Sequence, residues 1–163
     1  MHHEHDVSSV HVGILTMSDT RTKDEDKSGA LIRSLLDKDG HKVSEYQVIQ
    51  DDKPTIQSVL HRWTTQTSLN AIITNGGTGI SAKDVTYKIV YGMIDKEIDG
   101  FGELFRMKSY EEIGAKAMLS RALAGTIGQT ALFALPGSSN AVRLAMTDLI
   151  LPVLPHIVGE LRK

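Results

Sequence analysis

Residues 74–86 read TNGGTGISAKDVT, and the fold turns on how this stretch is read. Before it lies a short apolar run, Leu69 and then Ala71 to Ile73. The run is too short for a helix, which predicts a buried strand over 69–74. Three glycines interrupt, and Asp84 stands at the predicted start of a helix carrying Val85, Ile89, Val90, Met93 and Ile94. Strand, glycine turn and helix in that order are the repeating unit of a parallel α/β sheet.

The same unit recurs on both sides. HVGILTM (11–17) predicts a buried strand, and SDTRTKDEDKSG (18–29) a loop too hydrophilic for a core. Leu31, Ile32, Leu35 and Leu36 then fall at helical spacing up to Gly40, a C-terminal cap. Val43 to Ile49 predicts the next strand, and Pro54 opens a helix bearing Ile56, Val59, Leu60 and Trp63. Downstream, residues 99–128 predict a helical segment with irregular joints, including an alanine-rich helix over 113–125. ALFAL (131–135) predicts a fourth strand, followed by PGSSN and a helix with Val142, Leu144, Ala145 and Leu149 inward. Pro152 and Pro155 punctuate a last short helix. The expected fold is a three-layer α/β sandwich, its mainly parallel central sheet carrying helices on both faces. Residues 9–163 are expected to form one domain and the histidine-rich MHHEHD start, within 1–8, a mobile tail.

Composition narrows the function classes. The chain has 163 residues, 40% hydrophobic and 23% charged, with formal net charge −2. That balance gives no support to a nucleic-acid binder, though it allows a local positive pocket. The absence of cysteine excludes disulfides, thiolate catalysis and cysteine-ligated zinc. No apolar run approaches the ~20 residues that span a bilayer, so no membrane role and a cytoplasmic location are expected.

Ligand sites of open parallel sheets lie beyond the carboxyl ends of the strands. Four chemically distinctive loops are expected to converge there: Ser18, Asp19 and Thr20; Asp51 and Asp52; Asn75, Gly76, Gly77, Thr78 and Gly79; and Pro136, Gly137, Ser138, Ser139 and Asn140. Glycine lacks a Cβ and accepts positive φ, so its N–H groups approach an anion closely, and a following helix adds its positive end. GGTG and PGSSN therefore predict an anion cradle, with phosphate the expected ligand. A tight strand–helix turn with no ligand would use the same residues. Neither a P-loop nor a dinucleotide fingerprint is present. Asp84 suits either a helix N-cap or, with Asp51, a carboxylate pair holding Mg²⁺ against a polyphosphate. Asp52 rivals Asp51 for that place and alternatively caps the helix opened by Pro54.

LTMSDTR with DKSG, TNGGTGISAKDVT, GFGELFR, SYEEIGAKAMLSRALAG and LPGSSNAVRLAM together resemble the MoaB/Mog family of molybdenum cofactor biosynthesis proteins over residues 9–160. The GFGELFR and SYEEIG segments look closer to the MoaB branch. The resemblance implies a trimer or hexamer that binds molybdopterin, a pterin dithiolene carrying a phosphate. It also implies adenylylation of molybdopterin with Mg-ATP, releasing pyrophosphate, ahead of molybdenum insertion. A non-catalytic molybdopterin-binding or scaffold protein of the same pathway is the alternative. Family positions map to Asp51 and Asp84 as the acidic pair, to Gly76, Gly77 and Gly79, and to Ser138 in the PGS turn. Asn75 stands where the family more often has Thr or Ser, and Lys83 where it has Arg, a loss of bidentate phosphate geometry. Arg106 and Arg121 are candidate anion contacts or, equally, ion-pair partners.

Overall fold

The computed structural model describes residues 9–163; the expected tail over 1–8 lies outside the described residues. Six strands form one sheet: β1 (His11–Met17), β2 (Lys42–Ile49), β3 (Ala71–Asn75), β4 (Lys96–Glu97), β5 (Leu123–Ile127) and β6 (Thr130–Leu135). Their spatial order is β2-β1-β3-β6-β5-β4. The pairs β1–β2, β1–β3 and β3–β6 are parallel, while β5 runs antiparallel to both β6 and β4.

The period of two along each strand sends neighbouring side chains to opposite faces, which builds two cores. Ile14, Ile73 and Phe133 face one core, packed by α1 (Lys27–Lys38), α4 (Asp99–Ile113), α5 (Ser139–Leu144) and α6 (Leu154–Leu161). Leu15, Ile72 and Leu132 face the other, packed by α2 (Lys53–Thr65) and α3 (Thr86–Met93). The result is the expected three-layer sandwich. α2 follows the sequence pattern closely: Asp52 caps it, Pro54 sits in its first turn, and Ile56, Val59, Leu60 and Trp63 are buried. No single helix among the described residues is long and apolar enough to cross a membrane.

Three expectations need correction. The alanine-rich helix over 113–125 does not exist as such: a 3₁₀ turn (Gly114–Leu119) ends the helical segment, and Leu123–Ile127 is strand β5. Alanine and leucine favour helix locally, but the pairing of Ala124 with Phe133 and Gly125 with Leu132 on β6 decides the conformation. The helix after β6 is also not regular, since α5 passes into a π-helical stretch at Ala145–Ile150. Finally, the polar segment 18–29 is not wholly outside the core, because Asp26 and Ser28 are buried.

Candidate active site

Strand register sets the site. Met17 pairs with Ile49, Thr16 with Asn75, and Asn75 with Leu135. The four parallel strands therefore stop nearly level, and their next residues stand side by side along one rim. There they line a cleft of about 450 Å³. Ser18 and Asp19 enter it from β1, Asp51 from β2, and Gly76, Gly77, Thr78 and Gly79 from β3. Pro136 and Gly137 come from β6, and Lys83 and Asp84 close one side.

The remaining expected site residues lie elsewhere. Asn75 is buried beneath the cleft, where its amide nitrogen donates to Thr16 Oγ1 at 2.8 Å. Ser138 and Ser139 do not line the cleft. Ser138 is the N-cap of α5, its Oγ accepting the Ala141 N–H at 3.2 Å. Asp52 caps α2, accepting from Thr55 N at 3.1 Å and Thr55 Oγ1 at 2.6 Å. Of the two adjacent aspartates, Asp51 is therefore the one that faces the cleft.

GGTG does not run into a helix. A turn intervenes, with Asp84 N donating to Ser81 O and Ser81 N donating to Asp84 Oδ2 at 3.1 Å. α3 starts only at Thr86, without a side-chain cap. The chain nevertheless folds back so that the first residue of α3 meets the glycines, Thr86 N donating to Gly77 O at 3.0 Å, and Asp84 caps the turn rather than the helix.

The glycines serve a purpose the sequence did not disclose. At Gly77 (φ +73) an added Cβ would lie 2.6 Å from Asp51 Oδ2 and 2.1 Å from Thr86 Oγ1. At Gly79 it would lie 2.6 Å from Asp84 Oδ2. The side of each glycine where a side chain would be is therefore filled by one of the two carboxylates. Gly76 (φ +95) abuts the Met17 carbonyl in the same way and donates its N–H to Leu135 O, so it anchors the turn to the sheet. Among the described residues the N–H groups of Gly77, Thr78 and Gly79 donate to no protein acceptor.

Asp51 is held by Thr86, whose Oγ1 donates to Oδ1 at 3.1 Å, and by Asp19, whose Oδ1 accepts the Asp51 N–H at 3.1 Å. Burial pushes the Asp51 carboxyl above the ordinary carboxylate range; the Thr86 bond opposes this, while the nearby charges of Asp84 and Asp19 reinforce it. No lysine or arginine among the described residues pairs with Asp19, Asp51 or Asp84 within 4.0 Å. Carboxylates without a paired cation beside unused N–H donors, in a cleft that Arg21 and Lys83 also line, suit a cation together with an anionic ligand. The described residues hold no group of three or more His, Asp or Glu able to form a metal cage. Two carboxylates opening on a wide cleft fit the habit of Mg²⁺, which completes its shell with phosphate oxygens and water.

Behind the rim, Asp26 is 1% exposed. Its Oδ2 accepts from Thr16 Oγ1 at 2.6 Å and Tyr46 Oη at 2.7 Å, and its Oδ1 accepts from Gly29 N at 2.9 Å. Thr16 in turn receives Asn75, so this carboxylate ties the start of α1 to the root of the glycine turn. Ser28 Oγ donates to the Gly137 carbonyl at 2.7 Å, fixing the other turn. Burial, and then the Asp26 bond and charge, push the Tyr46 phenol up. Sequence reading missed Thr86, Asp26, Ser28 and Tyr46 as supports. The signal for Thr86 was present in DVT and that for Asp26 and Ser28 in DKSG, but polar composition disguised their burial; nothing around Tyr46 on β2 marked it.

Residues 13–156 match the family described as probable molybdopterin binding domain. The chain is 54% identical over 151 residues to molybdenum cofactor biosynthesis protein B of Bacillus cereus, covering 92% of this chain and 89% of that protein. A crystal structure of a molybdenum cofactor biosynthesis protein B superposes with a TM-score of 0.92 at 54% identity, over 94% of this chain and 96% of that one. The tungsten cofactor synthesizing protein MoaB from Pyrococcus furiosus superposes with a TM-score of 0.87 at 39% identity, over 96% and 99%.

Proposed function

Since the chain belongs to the probable molybdopterin binding domain family and, within it, to the molybdenum cofactor biosynthesis B proteins, we propose that it binds molybdopterin and adenylylates it with Mg-ATP. A role in molybdenum cofactor biosynthesis follows from the membership. The finer reaction is supported above all by Asp51 and Asp84 resting on Gly77 and Gly79 of one turn.

In the proposed step an oxygen of the molybdopterin phosphate attacks the α-phosphorus of ATP. A new P–O bond forms, the bridge to the β-phosphorus breaks, and pyrophosphate leaves with that electron pair. Such transfer rests on positioning and charge neutralisation more than on covalent help from the protein. Asp51 and Asp84 would hold Mg²⁺, which when bound would offset phosphate charge. The free N–H groups of Gly77, Thr78 and Gly79 orient the triphosphate, and Asp19 acts through its bond to the Asp51 amide. Lys83 supplies a positive charge to the cleft. Gly137 receives the pterin phosphate; Ser138, beside it at the N-cap of α5 and outside the cleft, meets only a ligand that extends past the cleft edge, to which its hydroxyl hydrogen is free to donate.

A homo-oligomer, trimer or hexamer, and a cytoplasmic location belong to the same proposal. Leu104, Met107, Tyr110, Ile113, Met118 and Leu119 are exposed along α4 and the following turn. This concentration of exposed large apolar side chains favours a subunit contact, which sedimentation velocity tests directly.

Incubating the protein with molybdopterin and Mg-ATP and following pyrophosphate tests the chemistry. Release by the wild type, abolished in a folded Asp84→Asn variant, is expected. Tight molybdopterin binding with no pyrophosphate would instead select a scaffold role.

A further inference from the structure

Two arginines that sequence marked as candidate anion contacts bond to carbonyls instead. Arg106 Nη1, on α4, donates to Ser120 O at 3.3 Å and Ala122 O at 3.2 Å. Gly102, one turn earlier, makes this possible: a Cβ there would lie 2.7 Å from Arg106 Nη2 and 3.0 Å from the Ala122 carbonyl. The residue between those two carbonyls, Arg121, is thereby held from both sides. Its Nη1 donates to Gly79 O at 3.2 Å. Its guanidinium lies over the Tyr87 ring of α3, 4.2 Å from the centroid, and Tyr91 stacks beyond at 6.1 Å. Gly79 is the residue on which Asp84 rests.

We infer that Arg121, itself held by Arg106, is a positioning residue for Asp84. It braces the glycine turn against α3 so that the carboxylate stands where it and Asp51 bind one metal ion. The inference rests on the proposed metal role of that pair. Gly76 is anchored to Leu135 O and Gly77 O accepts from Thr86 N, but the Gly79 N–H donates to no protein acceptor among the described residues, so that part of the turn is restrained through its carbonyl. Among the described residues, Arg121 is the partner of the Gly79 carbonyl. A planar guanidinium stacks on an aromatic face while donating in its own plane, which an ammonium does not do. Supports of this kind behind a metal ligand are worth about 10–100-fold in metal affinity.

The test uses Mn²⁺ alone as the probe, its free concentration read by electron paramagnetic resonance, with circular dichroism melts as a check on folding. Arg121→Ala is expected to weaken Mn²⁺ binding about tenfold, Arg121→Lys by less, and Tyr87→Phe hardly at all. Arg106→Ala weakens it in the same direction, and adding it to Arg121→Ala costs little more, because the two act in series. If Arg121 touched the substrate anion directly, its loss would weaken pyrophosphate binding and leave metal-only affinity unchanged; that result overturns the inference. Should Arg121→Ala fail to fold, Tyr87→Leu removes the stacking face while keeping the arginine, and unchanged Mn²⁺ affinity there overturns it too. A wild type that binds no Mn²⁺ sinks the metal pair itself. In that case hydrogen exchange at the turn amides of Ser81, Asp84 and Thr86 decides: faster exchange in Arg121→Ala keeps the brace, and unchanged exchange removes it.

Discussion

Replacing Gly79 with alanine asks the cleft to take one methyl group where Asp84 already stands. The new carbon would lie 2.6 Å from Asp84 Oδ2 and 3.1 Å from its Cγ. Ordinary contact begins near 3.4 Å, so the carboxylate must retreat by about 0.8 Å, or the turn must open by as much. Gly79 is not among the glycines at positive φ, so the substitution carries no backbone strain and acts through the side-chain clash. Rotating Asp84 away sacrifices its bond from Ser81 N, worth about 1 kcal/mol of stability. Displacing a charged group by this distance in a site built on positioning is expected to lower turnover about 100-fold, or about 2.7 kcal/mol in the barrier. The assay is pyrophosphate release at saturating molybdopterin and Mg-ATP, beside urea unfolding. Gly40→Ala is the control, because Gly40 has φ +83 but nothing within 4 Å. It bears the left-handed cost of about 1–2 kcal/mol and leaves turnover alone. A Gly79→Ala enzyme that turns over like the wild type would refute the claim that this glycine exists to admit Asp84.

Asp51→Asn is expected to abolish the proposed pyrophosphate release yet raise stability in chelator at pH 7. The raised folded-state carboxyl value means that Asp51 stabilises the fold fully below the ordinary carboxylate range, and that this contribution is lost as pH rises through the folded value. The variant escapes that loss, so its advantage in urea midpoint should vanish as pH falls below the ordinary aspartate value of about 3.9. Thr86→Val removes the bond that opposes the upward shift, so the acid limb of the pH–rate profile should move to higher pH. Asp52→Ala, by contrast, costs about 1 kcal/mol of stability through the lost cap of α2 and leaves pyrophosphate release unchanged. Tyr46→Phe deletes a hydrogen bond to the buried Asp26 carboxylate and should cost about 1.5–3 kcal/mol in urea unfolding.

The parts of the fold that sequence disclosed are those decided locally. β1, β3 and β6 are short apolar runs with abrupt polar ends, and α1 and α2 carry their own caps and periodic core residues. β5 was hidden because nothing in LAGTI says strand until β6 lies beside it, and two-residue β4 exists only through its pairing with β5. The rim was legible for a similar reason: each of its loops follows a recognisable strand, and register does the rest. Arginine is harder to read. Arg106 and Arg121 stand near an anionic cleft in the sequence motifs, yet one-dimensional spacing does not distinguish a carbonyl partner from a phosphate. Asp26 looks like solvated loop in the sequence because burial of a carboxylate depends on Thr16, Tyr46 and Gly29, which reach it from two strands and the first turn of α1.

The glycines carry two demands that pull against each other, and that tension specifies the chemistry. On their missing-Cβ side Gly77 and Gly79 bring two carboxylates against the turn, while along its backbone N–H groups remain to be met by an acceptor. Had the turn evolved only for packing, a neutral side chain in place of Asp51 would fit as well, without the burial and like-charge repulsion that raise its carboxyl value. Had it evolved only to cradle an anion, Asp84 and Asp51 would oppose the ligand. A bound cation would remove both objections at once, since Asp51 and Asp84 would then hold it together and its charge would offset that of the phosphate. In chelator, ATP should therefore bind the wild type more weakly than it binds Asp51→Asn, and Mg²⁺ should reverse that order. Calorimetric titration of the two proteins under both conditions measures this, and an order that Mg²⁺ leaves unchanged removes the cation from the site.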